Sequence, residues 1–371
     1  MAAATQHDPG DGSLALVHDY LLVMRGAERS FAAMAACWPT APIYTLLFDP
    51  LTTGEHFAGH TVRASALQRL PVRQGGFRRL LPVFPAAVER LDLRDARVVV
   101  SSSSAFAHGV RAPAGAVHVC YCYTPFRYVW HERERALTEF PAPLRPAAAR
   151  MLDTIRRWDH AASERVTRYI AISELSRRRI QDAYGRDAAI VHPPVEVDRF
   201  RIDEPEDYFL LVGELVRHKN ADIALEAVER IGAKVKIVGG GPEHDRLAER
   251  FAGTAEFVGR ADDDELARLY ARCRAFLMPA VEEFGIVAVE AMAAGRPVVA
   301  AAAGGALETV VDGVTGVLVP PRDVDALAEA LRETDFDAFD GAAIQRHAER
   351  FSTQSFQRRL RQEVTAAVGG G

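Results

Sequence analysis

Short β-branched runs alternate with amphipathic helical patterns along almost the whole 371-residue chain. A strand followed by a helix, repeated many times, predicts a parallel sheet with helices on both faces. The pattern contains too many strands for one sheet, and the two prolines after His192 favour an extended connection there. We therefore predict an α/β protein with two doubly wound domains, residues 1–194 and 195–350, which face a central cleft and are followed by a helix within 351–371.

The predicted strands are short apolar runs at 14–18, 43–47, 97–101, 117–121, 169–172, 208–212, 235–238, 256–258, 275–278, 297–300 and 317–319. The clearest amphipathic helices are predicted at 222–231, 242–251, 262–271, 323–332 and 352–368. Ligands of such sheets bind at the carboxyl ends of the strands. The loops at those ends are therefore the first place to look for a functional site.

Composition and charge exclude several classes of protein. No apolar run approaches the roughly 18 residues that span a bilayer, and residues 1–12 lack the pattern of an export signal, which predicts a cytoplasmic protein. The formal net charge of −5 disfavours a nucleic acid partner. The four cysteines have no zinc spacing, and the run 262–264 of aspartates precedes a helical pattern, where it is expected to cap the helix. We therefore expect no metal site.

The most specific segment is 281–291, which follows the predicted strand 275–278. A helix that begins near Gly285 or Ile286 presents free backbone N–H groups to an anion or to sugar hydroxyls. Glu290 falls one turn into that helix among apolar neighbours, where a carboxylate is costly unless it accepts hydrogen bonds. The hydroxyls of a ribose can supply such bonds, and so can a structural partner such as Arg296; the sequence leaves both open.

A second segment, 213–220, leaves the strand 208–212 and leads into a helix. Its Arg217 and Lys219 can face a diphosphate and meet the charge that builds on a leaving group, although a solvated loop is the alternative. Gly304 with Gly305 follows the strand 297–300 in the same way, because glycines allow the backbone to approach a ligand closely.

Three further segments follow predicted strands. The three glycines of 239–242 are likewise expected to let the backbone approach a ligand, and Pro242 after them is expected at the first helical position. In the first half, Gly26 lies in a turn that starts a helix, and the aromatic segment 120–128 contains Tyr123. Aromatic faces stack on sugar rings, but they pack in cores about as often.

Together these segments resemble the retaining glycosyltransferases of family 4, also called glycosyl transferases group 1, over roughly residues 14–361. The positions that carry the resemblance are Arg25-Gly26-Ala27-Glu28, Gly213 with Lys219, 239–242, Glu282 with Glu290, and Gly304-Gly305 with Glu308. The resemblance implies the GT-B fold, an N-terminal domain for the acceptor and a C-terminal domain for a nucleotide-sugar donor. It also implies that the helix within 351–371 crosses back to the first domain.

The resemblance further assigns roles to matching positions. Lys219 is expected at the donor diphosphate, Glu282 with the backbone of Phe284, Gly285 and Ile286 at the transferred sugar, Glu290 at the ribose, and Gly213, Gly304, Gly305 and Glu308 elsewhere in the donor site. Gly26 and Ala27 are expected to approach the donor from across the cleft. Transfer in this family retains the anomeric configuration and requires no divalent metal.

Two departures from the family pattern affect the catalytic set. Family members often have Arg where this chain has Glu214, so either Arg217 supplies that cation or Lys219 acts with less help. Many relatives have a histidine near the sugar where Tyr123 stands, and its role is assigned to Tyr123 here. The catalytic prediction is therefore Glu282, Lys219, Arg217 and Tyr123.

Segments 18–20, 41–46, 121–125 and 193–200 are most similar to the family's bacterial mannosyltransferase branch. This favours GDP-mannose as the donor and a lipid-linked or polysaccharide acceptor in cell-surface glycan synthesis. A nucleotide-sugar epimerase on the same fold and an inactive sugar-nucleotide-binding protein are the alternatives. The oligomeric state is not predicted.

One stretch of the first half, 63–90, mixes basic and apolar residues. Its basic members include Arg69, Arg73, Arg78 and Arg79, among apolar residues such as Leu70, Phe77, Leu81 and Phe84. In the family that the chain resembles, such a stretch can rest on the anionic inner face of the plasma membrane; a solvated pair of helices is the alternative.

Overall fold

The computed structural model describes residues 13–70 and 76–370, without the side chains of Phe77 and Arg78. Arg73, the side chain of Arg78 and residues 1–12, which lack the pattern of an export signal, thus lie outside the described residues. The chain forms two compact units. One runs to His192 and resumes at Gln357, and the other comprises Pro193–Phe356.

In the described part of the first unit, parallel strands form one seven-stranded sheet. The strands are β1 (Leu14–His18), β2 (Ile43–Thr45), β3 (Val62–Ala64), β4 (Val98–Ser103), β5 (Val117–Cys122), β6 (Arg168–Ala171) and β7 (Ala188–Ile190). The α-helices are α1 (Gly26–Ala35), α2 (Pro50–Thr53), α3 (Phe84–Val88), α4 (Arg133–Thr138), α5 (Arg145–Ser163) and α6 (Glu174–Tyr184).

The second unit has a six-stranded parallel sheet. The strands are β8 (Phe209–Val212), β9 (Val235–Val238), β10 (Ala255–Gly259), β11 (Ala275–Met278), β12 (Val298–Ala301) and β13 (Gly316–Val319). The helices are α7 (Ala221–Arg230), α8 (His244–Arg250), α9 (Asp263–Arg272), α10 (Ile286–Ala293), α11 (Ala306–Thr309), α12 (Val324–Glu333) and α13 (Gly341–Ala348), and the chain ends in α14 (Thr353–Gly369).

Both sheets place their first strand in the interior. The orders are β3-β2-β1-β4-β5-β6-β7 and β10-β9-β8-β11-β12-β13. Because crossovers between parallel strands are right-handed, a reversal of strand order puts helices on both faces of the sheet. The prediction of doubly wound sheets is therefore confirmed for each unit. The reversals occur between β1 and β4 and between β8 and β11, and such switch points are where ligands bind in this architecture.

The cores explain why these sequences form strands and helices. Every residue of β1, β4, β11 and β12 is buried, as expected for the near-continuous apolar runs of parallel sheets covered on both faces. Helix α12 buries Leu327, Ala328 and Leu331, which share one face at helical spacing. Each unit thus has its own apolar core.

Several predicted bounds are wrong. Strands β3 and β7 were not predicted because they are edge strands that bury few residues, so they lack an apolar run. The helix expected at 242–251 begins at His244. Pro242 lies in a turn before it, and the following amide, that of Glu243, donates to the carbonyl of Leu215 at 3.0 Å.

The structure also describes the cysteines, for which no zinc spacing was found, and the helices, for which no membrane span was predicted. All four cysteines are buried free thiols. Of the helices described over 13–70 and 76–370, none combines the length and the apolar character that crossing a bilayer requires.

Candidate functional site

The candidate site lies at the carboxyl edge of the second sheet, at its switch point. The loop after β8 carries Lys219 and the loop after β11 carries Glu282. The strands β8 and β11 are neighbours, and the strand order reverses between them. A ligand can therefore bind at the loops that follow them. In the structure the Lys219 ammonium and the Glu282 carboxylate form a direct ion pair. The two predicted catalytic residues are therefore brought together.

Local backbone conformation sets the position of Lys219. Residues Arg217–Lys219 form one 3-10 turn that ends at Asn220, whose φ of 53° is left-handed. The amide of the Asn220 side chain donates to the carbonyl of Pro279 at 3.4 Å, which joins this loop to the one after β11. About a third of the Lys219 side chain and 18% of that of Glu282 are exposed, so the pair is accessible from one side.

Arg217 is placed differently. Its side chain is 88% exposed and its Nε lies 3.4 Å from Glu243 Oε1. Hydrogen bonds from Arg246 and then from Arg217 lower the pKa of Glu243. Glu214, which stands where the family often has Arg, is exposed. In this conformation Arg217 serves an ion pair at the start of α8, whereas Lys219 faces the switch point.

The start of α10 presents backbone to the same edge. Gly285 has a φ of 88°, and a Cβ there would lie 2.9 Å from the sulfur of Met278, so glycine is required. The ring of Phe284 is buried and packs at 5.5 Å from that of Phe351. The first N–H groups of a helix have no acceptor within it, so the main chain at Gly285 and Ile286 can meet a ligand.

Gly304 and Gly305 pack against the loop that carries Glu282 and Phe284. A Cβ on Gly304 would collide with the carbonyl of Glu282, and a Cβ on Gly305 with that of Phe284. The amide of Gly305 donates to the Glu282 carbonyl at 2.8 Å. The two glycines thus allow the turn before α11 to pack directly on the Glu282 loop. Helix α11 itself carries Glu308, which is partly buried.

The glycines after β9 have a similar packing role. A Cβ on Gly239 would collide with the carbonyl of Gly213, and a Cβ on Gly241 would lie 2.5 Å from that of Leu215. The loops after β8 and β9 therefore touch through their backbones. A Cβ on Gly213 would meet nothing within 4 Å, so the space beside it is open.

Glu290 has a partner that the sequence did not predict. Its Oε2 accepts a hydrogen bond from the hydroxyl of Tyr270 on α9 at 2.9 Å. Burial, and then the Glu290 carboxylate, raise the pKa of Tyr270, so this hydroxyl remains a donor at neutral pH. The alternative pairing of Glu290 with Arg296 is wrong, because the Arg296 guanidinium binds the carbonyls of Ala271 and Asp203.

In the first unit, Gly26 and Ala27 form the first turn of α1, after Arg25 as N-cap. The Tyr123 hydroxyl donates to the carbonyl of Ala27 at 2.8 Å and accepts from Ser102 Oγ at 3.1 Å. The structure therefore places Tyr123 at the Gly26–Ala27 turn. Burial raises the pKa of Tyr123, which keeps its proton in place.

A buried carboxylate fixes the loop beside this turn. Asp19, directly after β1, is 1% exposed and accepts five hydrogen bonds. The donors are the backbone amides of Ser104, Ala105, Phe106 and Ala107 and the Ser104 hydroxyl, at 2.6–3.0 Å. Asp19 thus connects the ends of the neighbouring strands β1 and β4 at the switch point of the first sheet.

Sequence reasoning did not identify Asp19 or Tyr270. An acid that directly follows an apolar strand, as in His18-Asp19, is a signal that would have found the first. Tyr270 has no such signal, because it lies on the apolar face of α9 and meets Glu290 only through tertiary packing.

The aspartates of 262–264 behave as predicted. Asp262 accepts from the amide of Glu265 at 2.8 Å as the N-cap of α9. Over residues 13–70 and 76–370, no three His, Cys, Asp or Glu side chains are grouped so that they could hold a metal ion.

The second unit, which holds this site, matches a family model. Residues 195–335 match the model of glycosyl transferases group 1, a stretch that contains every loop of the site in the second unit. The chain is also 34% identical, over 224 residues, to a GDP-mannose-dependent alpha-(1-6)-phosphatidylinositol monomannoside mannosyltransferase of Mycolicibacterium smegmatis. That alignment covers 51% of this chain and 58% of the relative, so the match spans little more than half of the relative's length.

Solved structures share the fold over nearly the whole chain. A sucrose-phosphate synthase from Thermosynechococcus elongatus superposes with a TM-score of 0.73 at 18% identity, over 97% of this chain and 100% of that one. The Anabaena protein Alr3699/HepE in complex with UDP and glucose gives 0.71 at 20% identity, over 95% and 99%. The predicted GT-B fold is thereby confirmed.

Proposed function

We propose that the chain, whose residues 195–335 match the model of glycosyl transferases group 1, is a retaining glycosyltransferase that uses a nucleotide-diphosphate sugar. The observation that carries this proposal is the Lys219–Glu282 ion pair at the switch point, next to Gly285 at the start of α10, the helix that also carries Glu290. A cation, a helix start and a carboxylate supply what a diphosphate, a sugar and a ribose each require.

The Lys219–Glu282 ion pair has no net charge, and each of its members can exchange its partner for a group of the donor. When a donor binds, its diphosphate takes over the Lys219 ammonium, and the Glu282 carboxylate becomes available to the hydroxyls of the sugar. Backbone N–H groups at the start of α10 add fixed donors that need no reorganisation during the reaction. The pair thus holds both groups in position before the substrate arrives.

In the proposed reaction the acceptor hydroxyl attacks C1 of the sugar on the face from which the diphosphate leaves. The bond between C1 and the diphosphate oxygen breaks, a bond between C1 and the acceptor oxygen forms, and the acceptor proton passes to the departing diphosphate. Lys219 stabilises the charge on that diphosphate. We propose no divalent metal for this step, because the ammonium supplies the cation.

GDP-mannose is the proposed donor, with a lipid-linked or polysaccharide acceptor. The donor is supported by the likeness to a relative whose name specifies GDP-mannose. It is tested by thermal unfolding with GDP-mannose or UDP-glucose, since a ligand at 100 times its Kd adds about 2.7 kcal/mol of stability. We expect GDP-mannose to raise Tm by several degrees and UDP-glucose to leave it nearly unchanged; a shift with UDP-glucose alone would contradict the donor assignment.

Two variants make this assay specific for the site. Glu290→Gln keeps the size of the side chain but removes its charge, so the shift with GDP-mannose should shrink, in line with at least a tenfold weaker Kd. Tyr270→Phe removes only the hydroxyl that Glu290 accepts from, so most of the shift should remain. If Tyr270→Phe costs as much as Glu290→Gln, the role of Glu290 is structural.

We also propose that the first unit contacts an anionic membrane surface. Leu51 is 97% exposed and Leu70 is 45% exposed, and Arg69 and Arg79 are exposed as well. Gln68 joins the segment that contains Leu70 to the segment that contains Leu51, through hydrogen bonds of 2.8 and 2.9 Å to both backbone groups of Phe48. Apolar side chains among arginines are the combination that binds anionic lipid at the bilayer surface.

Co-sedimentation with vesicles tests this contact. The protein should bind phosphatidylcholine vesicles that contain phosphatidylglycerol, and binding should weaken as salt is raised. Leu51→Asp should reduce binding several-fold, whereas Leu144→Asp, at an exposed leucine before α5, should not. Equal binding to vesicles of phosphatidylcholine alone would rule out an electrostatic contact.

A further inference from the structure

The Tyr123 hydroxyl has a specific set of hydrogen-bond partners. A carbonyl oxygen only accepts, so Tyr123 donates its one proton to Ala27. The contact with Ser102 Oγ, at 3.1 Å, is then one in which Tyr123 accepts. With one bond donated and one accepted inside the first unit, the hydroxyl is already satisfied without a substrate.

The directions of the next bonds follow from this one. Ser102 donates its proton to Tyr123, so it must accept from the nitrogen Nδ1 of His18, which lies 3.1 Å away. His18 is 2% exposed, and its ring stacks on that of Phe31 on α1 with 4.6 Å between centroids. The bonds therefore run in one direction, from His18 through Ser102 and Tyr123 to Ala27.

The other nitrogen of His18 leads back to the same helix. Its Nε2 lies 3.9 Å from Glu28 Oε1, and Glu28 Oε2 accepts from the backbone amide of Arg25 at 3.0 Å. Burial raises the pKa of Glu28, but the interactions with His18 and the backbone hydrogen bonds from Glu28 and Arg25 together lower it, so the carboxylate is charged at neutral pH. The first turn of α1 is thus held at Arg25, at Ala27 and at Glu28.

We propose that Tyr123 is a positioning residue that acts through this chain of hydrogen bonds. It fixes the Gly26–Ala27 turn, for which the family resemblance implies a contact with the donor, and does not itself act on the reacting sugar. This inference rests on the proposed glycosyl transfer. It explains why a tyrosine can stand where many relatives have histidine: the position serves the turn.

Tyr123→Phe removes the hydroxyl and leaves the ring. We expect the KM for the donor to rise about tenfold, kcat to change less than threefold, and amide exchange to accelerate in a peptide that spans α1. Ser102→Ala should have the same effects. The double variant should be no more impaired than the more impaired single variant, because both substitutions remove the same connection.

Tyr121→Phe is the matched control. Tyr121 lies on β5, two residues before Tyr123, and its hydroxyl donates its proton to the carbonyl of Val191 at 3.1 Å and not to α1. It should lose similar stability without changing the donor KM or exchange in α1. Equal effects of the Tyr121 and Tyr123 variants would overturn the proposal, and so would a hundredfold fall in kcat for Tyr123→Phe with unchanged KM and exchange.

The exchange measurement separates this proposal from the proposed function. If the wild-type protein transfers no sugar from any donor, glycosyl transfer is wrong. Faster exchange in α1 of Tyr123→Phe, but not of Tyr121→Phe, would still establish that Tyr123 holds the turn. Unchanged exchange in both variants would refute the positioning role itself.

Discussion

Lys219→Ala is expected to lower kcat/KM for the donor by at least about a hundredfold, the usual cost of removing one charge-stabilising group from an active site. The ammonium is the cation at the switch point that the Glu282 carboxylate holds in place. Its loss leaves the charge of the leaving diphosphate unmatched and also leaves Glu282 without this partner. The measurement is steady-state transfer with labelled donor, with circular dichroism to verify the fold.

Lys234→Ala is the matched control for this variant. Lys234 is one of only three lysines in the chain and belongs to the same unit, but it is exposed and precedes β9 at the opposite edge of the sheet. It should leave kcat/KM unchanged, and EDTA should leave the wild-type rate unchanged. Normal turnover by Lys219→Ala would remove the basis for the proposed site.

Asp19→Ala should reduce the free energy of unfolding of the first unit by at least about 3 kcal/mol. The substitution removes the acceptor of four backbone amides, and each buried donor without a partner costs roughly 1–3 kcal/mol. All three tryptophans, Trp38, Trp130 and Trp158, belong to the first unit. Tryptophan fluorescence during urea unfolding therefore reports on this unit alone.

Asp92→Ala provides the comparison for this loss. Its carboxylate is 57% exposed and pairs with Arg94 on the surface, so the change in stability should stay within about 0.5 kcal/mol. Asp19→Asn should fall between the two, because an amide retains one acceptor oxygen but directs a donor at the remaining amides. If the urea midpoint of Asp19→Ala is as high as that of Asp92→Ala, the hydrogen bonds that Asp19 accepts do not stabilise the first unit, which would contradict this prediction.

Local apolar runs predicted much of the fold. The strands expected at 14–18, 235–238 and 275–278 have these bounds in the structure, because all of their residues except Lys236 are buried. The edge strands β3 and β7 escaped prediction because their stability comes from pairing with a neighbour and little from burial of their own side chains.

The candidate site was partly visible in the sequence for a similar reason. Residues at the ends of parallel strands share an edge of the sheet, so the meeting of Lys219 with Glu282 follows from the topology. The hydrogen bond from Tyr270 to Glu290 does not, since it depends on how α9 packs against α10. The glycines of 239–241 were interpreted as ligand-facing, whereas the structure shows backbone packing against the loop after β8.

The account depends most on where the nucleotide sugar binds, and a crystal structure with GDP-mannose bound measures this directly. We predict the diphosphate within hydrogen-bond distance of Lys219 Nζ, about 2.7–3.2 Å, and the ribose hydroxyls on the Glu290 carboxylate. A nucleotide bound away from the carboxyl ends of β8 and β11, with the Lys219–Glu282 pair unchanged, would contradict the account.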